Sequence, residues 1–324
     1  MSRVRTLSQT ILANPRYLTI DQARASEVAH ILKKADMKME IPKWDFAPFY
    51  PQYLDFEEMC QFYLTFNAIN YCYFDQDGKK YQDGDLSGSS LAALRLTEHW
   101  EEIRDPLFLS KVDENYLLAE LFRAENPISL VKERTEALRE VGRFLNENQP
   151  PETLNGLFLT MFRKYKSNAY YVSQALPEHL PSWRDPFFKR SQLFVGMVYG
   201  RFQDWEDLPI DVDSLEDLTV FADYRVPETL IRMGVIVPRA PLLTKLHRRE
   251  FLGSGSMKEL EIRAATIVGS DAIMDVLNTL NDIHLTPLHL DYLLWSAGRR
   301  VDEAPEGLFV QSHITHHLTM TTDY

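Results

Sequence analysis

Apolar residues recur at helical spacing along most of this chain of 324 residues. In the segments 113–125 and 129–148 they fall every three or four positions, which is the period of one helix face. The segments 55–74 and 187–199 are apolar on almost every side, a pattern typical of buried helices. Asp-Gly between aromatic residues at 74–81 favours a tight turn. The sequence therefore predicts a mainly α fold with one small β-hairpin.

Helix-start signals divide the chain but do not separate domains. Thr19–Gln22 and Ser256–Glu259 have the spacing of a capping box, and Pro287 follows Thr286 as it would in a first helical turn. No internal repeat and no low-complexity linker interrupts the pattern. The prediction is one mostly helical domain over residues 1–324. A two-lobed form with the active site between the lobes is the alternative.

The charge balance restricts the partners of the protein. Lys and Arg number 35 against 47 Asp and Glu, and the acidic stretch 203–217 contains no basic residue. A net charge of −12 argues against a nucleic-acid partner, because binding to a phosphate backbone needs a basic surface. No uncharged apolar stretch is long enough to span a bilayer. We therefore expect no nucleic-acid or membrane partner, and no obligate protein partner is evident in the sequence.

The expected location is cytoplasmic. Two cysteines, Cys60 and Cys72, fall in one predicted helix at a spacing that precludes a disulfide, which favours a reducing compartment. The N-terminal segment carries Arg3, Arg5 and Arg16 with no acid before residue 21, so a mitochondrial leader is the alternative.

Two carboxylates are candidate site residues. Asp223 ends the apolar run 218–222, so its side chain is expected at the edge of a core, where a carboxylate can be held and aimed. The alternative is a cap for a helix that begins near Pro227. Asp291 falls inside an amphipathic helix and needs a partner if it is buried. Its alternatives are an internal salt bridge or a solvent-facing side chain.

Three other groups have a functional and a structural interpretation. Lys189 and Arg190 lie in an apolar helix and could bind an anion, or extend to solvent, or pair with the acidic stretch. The segment 253–258 opens a helix and could hold phosphate, although a plain cap is favoured because the Walker A spacing is absent. The histidines His313, His316 and His317 have little support as a metal site, since the tail around them is polar and has no cysteine.

Five short segments, in order along the chain, together resemble the queuosine salvage protein family. The strongest is Leu218-Thr-Val-Phe-Ala-Asp-Tyr-Arg-Val-Pro227. The others are Phe66–Phe74 with Asn70 as the matching Asn, Phe188-Lys-Arg-Ser-Gln192, Glu259-Leu-Glu-Ile-Arg263 and Leu290-Asp-Tyr-Leu-Leu-Trp295. The resemblance spans about residues 44 to 295, which is most of the chain.

The resemblance implies a fold similar to the helix-hairpin-helix DNA glycosylases. It also implies hydrolysis of the N-glycosidic bond of queuosine 5′-monophosphate, which releases queuine for reuse in tRNA modification. No metal or organic cofactor is expected. By resemblance Asp223 is the catalytic carboxylate, Phe221 contacts the substrate, and Asp291 and Tyr292 recognise the base. The candidate phosphate anchors are Lys189, Arg190, Arg225 and Arg263.

This chain departs from the family pattern at two points. Ser296 stands where the family carries an Asp, and a family His in the N-terminal loop has no clear match near residues 48–50. Two alternatives to the implied function are a nucleic-acid binding or repair protein with a glycosylase-like fold and a non-catalytic interaction protein. The acidic balance argues against the first alternative. The intact Phe221-Ala-Asp223 and Asp291-Tyr292 argue against the second by resemblance.

Overall fold

The structure of the protein is a computed structural model that describes residues 2–35, 37, 39–148, 156–280, 284–310 and 313–324. The helices of this part of the chain are α1 (Arg3–Ile11), α2 (Gln22–Lys34), α3 (Phe56–Ile69), α4 (Gly88–Glu98), α5 (Trp100–Ile103), α6 (Pro106–Leu109), α7 (Glu114–Tyr116), α8 (Val131–Glu147), α9 (Leu157–Lys164), α10 (Ala169–His179), α11 (Lys189–Phe202), α12 (Arg225–Arg232), α13 (Ala240–His247), α14 (Met257–Leu280) and α15 (Pro287–Arg299). The strands are β1 (Leu18–Ile20), β2 (Gln82–Asp83), β3 (Leu86–Ser87) and β4 (Ile236–Pro238). The prediction of a mainly α fold is confirmed.

The chain divides into two compact units. The first contains residues 1–41 and 215–320, and the second contains residues 42–214 and 321–324. In the first unit α14 packs against α1, α2, α12 and α15, while α12 packs against α15. Strands β1 and β4 pair antiparallel, with Thr19 opposite Val237. Helix α14 is buried on most sides, so its buried charged residues need partners within the unit.

Helix caps in the first unit agree with the sequence at two starts and differ at one. Thr286 and His289 form a capping box around Pro287, and α15 continues past Trp295 to Arg299. The hydroxyl of Ser256 accepts the Glu259 amide at 3.5 Å, which begins α14. The predicted capping box at Thr19 is wrong. Thr19 is paired in β1, and the carboxylate of Asp21 caps α2 instead.

In the second unit α3 packs against α8, α9 and α11. Asp55 caps its start, and the helix ends at Ile69 rather than continuing to Phe74. Arg134 explains this end. Its buried guanidinium donates hydrogen bonds to the carbonyl oxygens of Ile69, Tyr71 and Cys72, which a longer helix would use itself. Cys60 and Cys72 are both buried thiols.

The predicted hairpin at residues 74–81 is confirmed as a short turn. Phe74 and Lys80 form an antiparallel bridge, and Gly78 takes a φ of 75° inside the turn, where a side chain would be strained. A second hairpin, which the sequence did not predict, joins β2 to β3.

Several helix boundaries in the second unit differ from the sequence pattern. The segment 113–125 forms α7 followed by a π-helical turn, rather than one α-helix. Helix α11 begins at Lys189 and not at residue 187, because Phe188 has a left-handed φ of 53°. Asn168 starts α10 as a helix separate from α9. Among the described helices none is long and apolar enough to cross a membrane.

Candidate active site

The segment 218–223 leads from the core of the first unit to its edge. Leu218, Val220, Phe221 and Ala222 are buried, and Asp223, which follows them, is half-buried. An apolar run therefore anchors the backbone directly before the carboxylate. The predicted position of Asp223 at the rim of a core is confirmed.

The Asp223 carboxylate also caps α12. Its Oδ1 accepts hydrogen bonds from the backbone amides of Arg225 at 2.7 Å and Val226 at 3.0 Å. This is the alternative geometry that the sequence allowed, with the helix beginning at Arg225. Within the described part of the chain, Oδ2 accepts no hydrogen bond from protein groups. Capping thus fixes one oxygen of the carboxylate and leaves the other for chemistry.

Asp291 reaches the same segment from α15. Its side chain is 8% exposed, and its Oδ1 accepts a hydrogen bond from the backbone amide of Phe221 at 2.7 Å. The alternative of a solvent-facing Asp291 is therefore wrong. The carboxylate holds the backbone of the residue two positions before Asp223, a positioning role that the sequence did not predict.

Arg263 of α14 fixes the carbonyl group of Ala222, which lies between Phe221 and Asp223 in the chain. Its fully buried guanidinium donates from Nε to the Ala222 oxygen at 2.9 Å and lies 3.6 Å from a carboxylate oxygen of Glu259. The backbone on either side of Ala222 is thus held by Asp291 through an amide and by Arg263 through a carbonyl. Such paired restraints keep a side chain in one orientation.

Arg225 is tied to a neighbouring carboxylate. Its guanidinium lies 3.1 Å from Glu228 and 5.5 Å from the ring centre of Tyr224. Glu228 also pairs with Arg232 at 2.8 Å. The buried carboxylate of Glu228 therefore pairs with two arginines, so the cluster of Glu228, Arg225 and Arg232 has a net positive charge.

The outer end of α15 carries an aromatic stack. Tyr292 lies on Trp295 with ring centres 6.0 Å apart and planes at 18°. Both rings are half-buried, and the Ser296 hydroxyl donates to the Leu293 carbonyl of its own helix at 3.0 Å. The stack gives this end of the helix a flat apolar surface.

Two histidines near the C-terminus belong to the same neighbourhood, which the sequence did not indicate. The His316 ring lies 4.8 Å from the Tyr224 ring, and His317 is 3% exposed. Burial, together with nearby His316 and Arg263, lowers the pKa of His317 to about 3. His313 is exposed. The apolar neighbours Ile314 and Leu318 were the available signal that this segment packs inward. Among the described residues no group of three or more His, Cys, Asp or Glu is arranged to hold a metal ion.

The segment 253–258 is a helix cap. Ser256 begins α14, and the Gly255 amide donates to the Glu259 carboxylate at 3.2 Å. The plain-cap interpretation is confirmed, since the side chain of Glu259 already occupies the amide that a phosphate would use.

Comparison with known proteins decides the family. The model of the queuosine salvage protein family matches residues 50–324. This range contains Asp223, Phe221, Asp291 and the C-terminal histidines. The chain belongs to the queuosine salvage protein family. The resemblance expected from the five sequence segments is therefore confirmed.

Curated relatives in the queuosine salvage family span bacteria and eukaryotes. A protein of Sphaerobacter thermophilus is 30% identical over 282 residues, 83% of this chain and 82% of the relative. A protein of Mus musculus is 30% identical over 206 residues, 58% of this chain and 59% of the relative. A protein of Dictyostelium discoideum is 31% identical over 202 residues, 59% of this chain and 58% of the relative. Each is named queuosine 5′-phosphate N-glycosylase/hydrolase.

The two cations expected from the family's Lys-Arg segment lie in the second unit. Lys189 is 5% exposed and Arg190 is 1% exposed, so extension of either side chain to solvent is wrong. Arg190 donates to the carbonyl oxygens of Ala68 and Ser182, and its guanidinium lies 5.1 Å from the Tyr71 ring centre. Burial lowers the pKa of Arg190. The part of Lys189, Arg190, Arg225 and Arg263 in phosphate binding stays a prediction.

Proposed function

We propose that this protein hydrolyses the N-glycosidic bond of queuosine 5′-monophosphate and releases queuine and ribose 5-phosphate. The chain is a hydrolase of N-glycosyl bonds, the class in the names of its relatives. The observation that carries the proposal is the Asp223 carboxylate, which is held at the edge of a core by one oxygen and keeps the other oxygen available.

Asp223 is assigned the reacting position. Cleavage of the C1′–N bond leaves the electron pair on the base and builds positive charge at C1′ and the ring oxygen of the ribose. A carboxylate held in place beforehand stabilises this charge without reorganisation during the reaction. Water then adds to C1′ and loses a proton, and the departing base gains one.

Asp291, Phe221 and Tyr292 are assigned to the base. Queuine is a 7-deazaguanine, so it lacks the N7 whose protonation would help a purine to leave. The carboxylate of Asp291 is the acceptor assigned to the donors on a guanine-like edge, because an ionised carboxylate accepts several hydrogen bonds. The aromatic rings of Phe221 and Tyr292 suit stacking on a flat base. Ser296 would make the polar contact that an Asp makes in the family.

Other parts of the proposal rest on resemblance and composition. They are an arrangement of helices like that of the helix-hairpin-helix DNA glycosylases, a single domain over residues 1–324, and catalysis without a cofactor. A cytoplasmic location is included because both cysteines are buried thiols, which suits a reducing compartment. The small-molecule substrate is favoured over nucleic acid by the net charge of −12.

The test is incubation of the full chain with queuosine 5′-monophosphate, followed by chromatography with mass detection. Release of queuine and ribose 5-phosphate is the expected result, and its absence would overturn the proposal. A parallel reaction with the nucleoside measures the contribution of the phosphate. Mobility-shift assays with single- and double-stranded DNA address the alternative function. Tight, salt-dependent binding to DNA with no nucleotide cleavage would favour a nucleic-acid protein.

A further inference from the structure

Arg299, at the end of α15, has an unusual environment for an arginine. Its guanidinium lies over the indole ring of Trp295, 4.7 Å from the ring centre. Trp295 in turn stacks on Tyr292, so three side chains form one row along the helix at spacings of three and four residues. The stack holds the guanidinium beside residues already assigned to the base.

The hydrogen-bond donors of Arg299 are not used by the protein. Within the described residues its guanidinium makes no ion pair and no hydrogen bond, and its side chain is exposed. In contrast, Arg225 and Arg232 share Glu228, and Arg300 lies 4.0 Å from Glu303. Stacking uses only the face of a guanidinium, so the N–H groups in its plane remain available as a fork for an oxyanion.

The charges around Arg299 are positive. Partial desolvation of the exposed guanidinium, together with the like charges of Arg225 and Arg300, lowers the pKa of Arg299. Neighbouring cations repel one another, and an anion bound beside them relieves that repulsion. Arg225 is two residues from Asp223, and its backbone amide donates a hydrogen bond to the Asp223 carboxylate. The positive region therefore borders the segment that carries the proposed catalytic group.

We propose that Arg299, with Arg225 as a second cation, binds the 5′-phosphate of the nucleotide substrate. The identity of the nucleotide rests on the proposed function, whereas binding of a phosphate monoester does not. A planar fork stacked on an indole suits a phosphate, which accepts two parallel hydrogen bonds. This assignment adds a residue that the sequence did not single out.

Binding of ribose 5-phosphate, measured by titration calorimetry on the full chain, tests the site without requiring catalysis. We expect the wild type to bind ribose 5-phosphate and not ribose. Arg299→Ala should weaken binding at least about tenfold, in line with loss of a charge-assisted hydrogen bond. Arg299→Lys keeps the positive charge but loses the two parallel N–H donors of the guanidinium, so its affinity for ribose 5-phosphate should lie between those of the wild type and Arg299→Ala. Arg248→Ala removes the same charge from an exposed arginine just after α13, outside this positive region, and should stay within about twofold of the wild type.

Steady-state kinetics give a second measurement. Arg299→Ala should raise KM for queuosine 5′-monophosphate about tenfold or more with a smaller change in kcat, so the preference for nucleotide over nucleoside falls. Equal binding of ribose 5-phosphate by wild type and Arg299→Ala, or no binding by the wild type, would overturn the inference. If the wild type binds ribose 5-phosphate through Arg299 but cleaves no nucleotide, the proposed function fails and the phosphate site stands.

Discussion

The buried carboxylate of Asp291 accepts a hydrogen bond from the backbone amide of Phe221, with 2.7 Å between Oδ1 and N. This bond joins α15 to the segment that ends in Asp223. A carboxylate that was expected to read a base thus also holds the backbone beside the proposed catalytic group. The two roles can be separated by substitution.

Asp291→Ala and Asp291→Asn should differ in stability. The Ala variant leaves the buried Phe221 amide without its acceptor, at a cost of about 1–3 kcal/mol in the free energy of unfolding. The Asn variant keeps an acceptor oxygen and should lose less stability, yet it loses the charge assigned to base recognition. Urea unfolding and kcat/KM on queuosine 5′-monophosphate separate these effects. Equal destabilisation by both variants would contradict a role for this hydrogen bond.

Asp223→Asn should remove activity while preserving the fold. The Asn side-chain oxygen can still accept from the amides of Arg225 and Val226, so α12 keeps its cap. Loss of the negative charge should lower kcat at least about 100-fold, as expected for a group that stabilises transition-state charge. Asp217→Asn, an exposed carboxylate upstream, is the matched control and should keep full activity. Full activity in Asp223→Asn would rule out the assigned mechanism.

Acid should destabilise the protein partly through His317. Because the pKa of His317 is lowered from 6.5 to about 3, the unfolded chain binds its proton below about pH 6.5 while the folded protein does not. Stability from this group is present above pH 6.5 and falls by about 1.4 kcal/mol per pH unit as the pH drops towards 3. Urea unfolding of His317→Asn should show a shallower acid loss between pH 6.5 and 4.5.

The control for this pH dependence is His313→Asn, at an exposed position in the same segment. It should keep the steep acid loss of the wild type. His316 and Arg263 are the neighbouring groups that lower the pKa of His317 together with burial, and both stay in place in the two variants. If His317→Asn lost stability between pH 6.5 and 4.5 as steeply as the wild type, the burial of His317 would not control the acid stability.

Gly298→Ala should disturb the contact between α12 and α15. A Cβ at residue 298 would overlap the buried hydroxyl of Thr229, so either the Thr229 side chain or the two helices must shift, at a cost of about 1–3 kcal/mol. Gly253→Ala is the control, because its nearest neighbour to an added Cβ is 3.8 Å away. Urea unfolding measures both variants. Similar stability in the two would contradict a tight contact at Gly298.

Much of the local structure was predictable because it depends on neighbouring residues. The apolar pattern predicted α8 and α11, and the helix-start signals Ser256–Glu259 and Thr286-Pro287 marked the starts of α14 and α15. The wrong boundaries have tertiary causes. Thr19 pairs in a strand with a residue far along the chain, and Arg134 takes the carbonyl groups at the end of α3. No local pattern contains such partners.

The sequence by itself determined the helical class, the place of Asp223 at the end of an apolar run, and the resemblance to the queuosine salvage protein family. Only the tertiary structure decided which polar side chains have hydrogen-bond or ionic partners within the protein. It buries Arg190 and Arg263 on carbonyl groups, brings His316 against Tyr224 and leaves the donors of Arg299 uncommitted within the described residues. The physical reason is that periodicity reports which face of a helix is apolar, whereas the partner of a buried charge is set by residues distant in sequence.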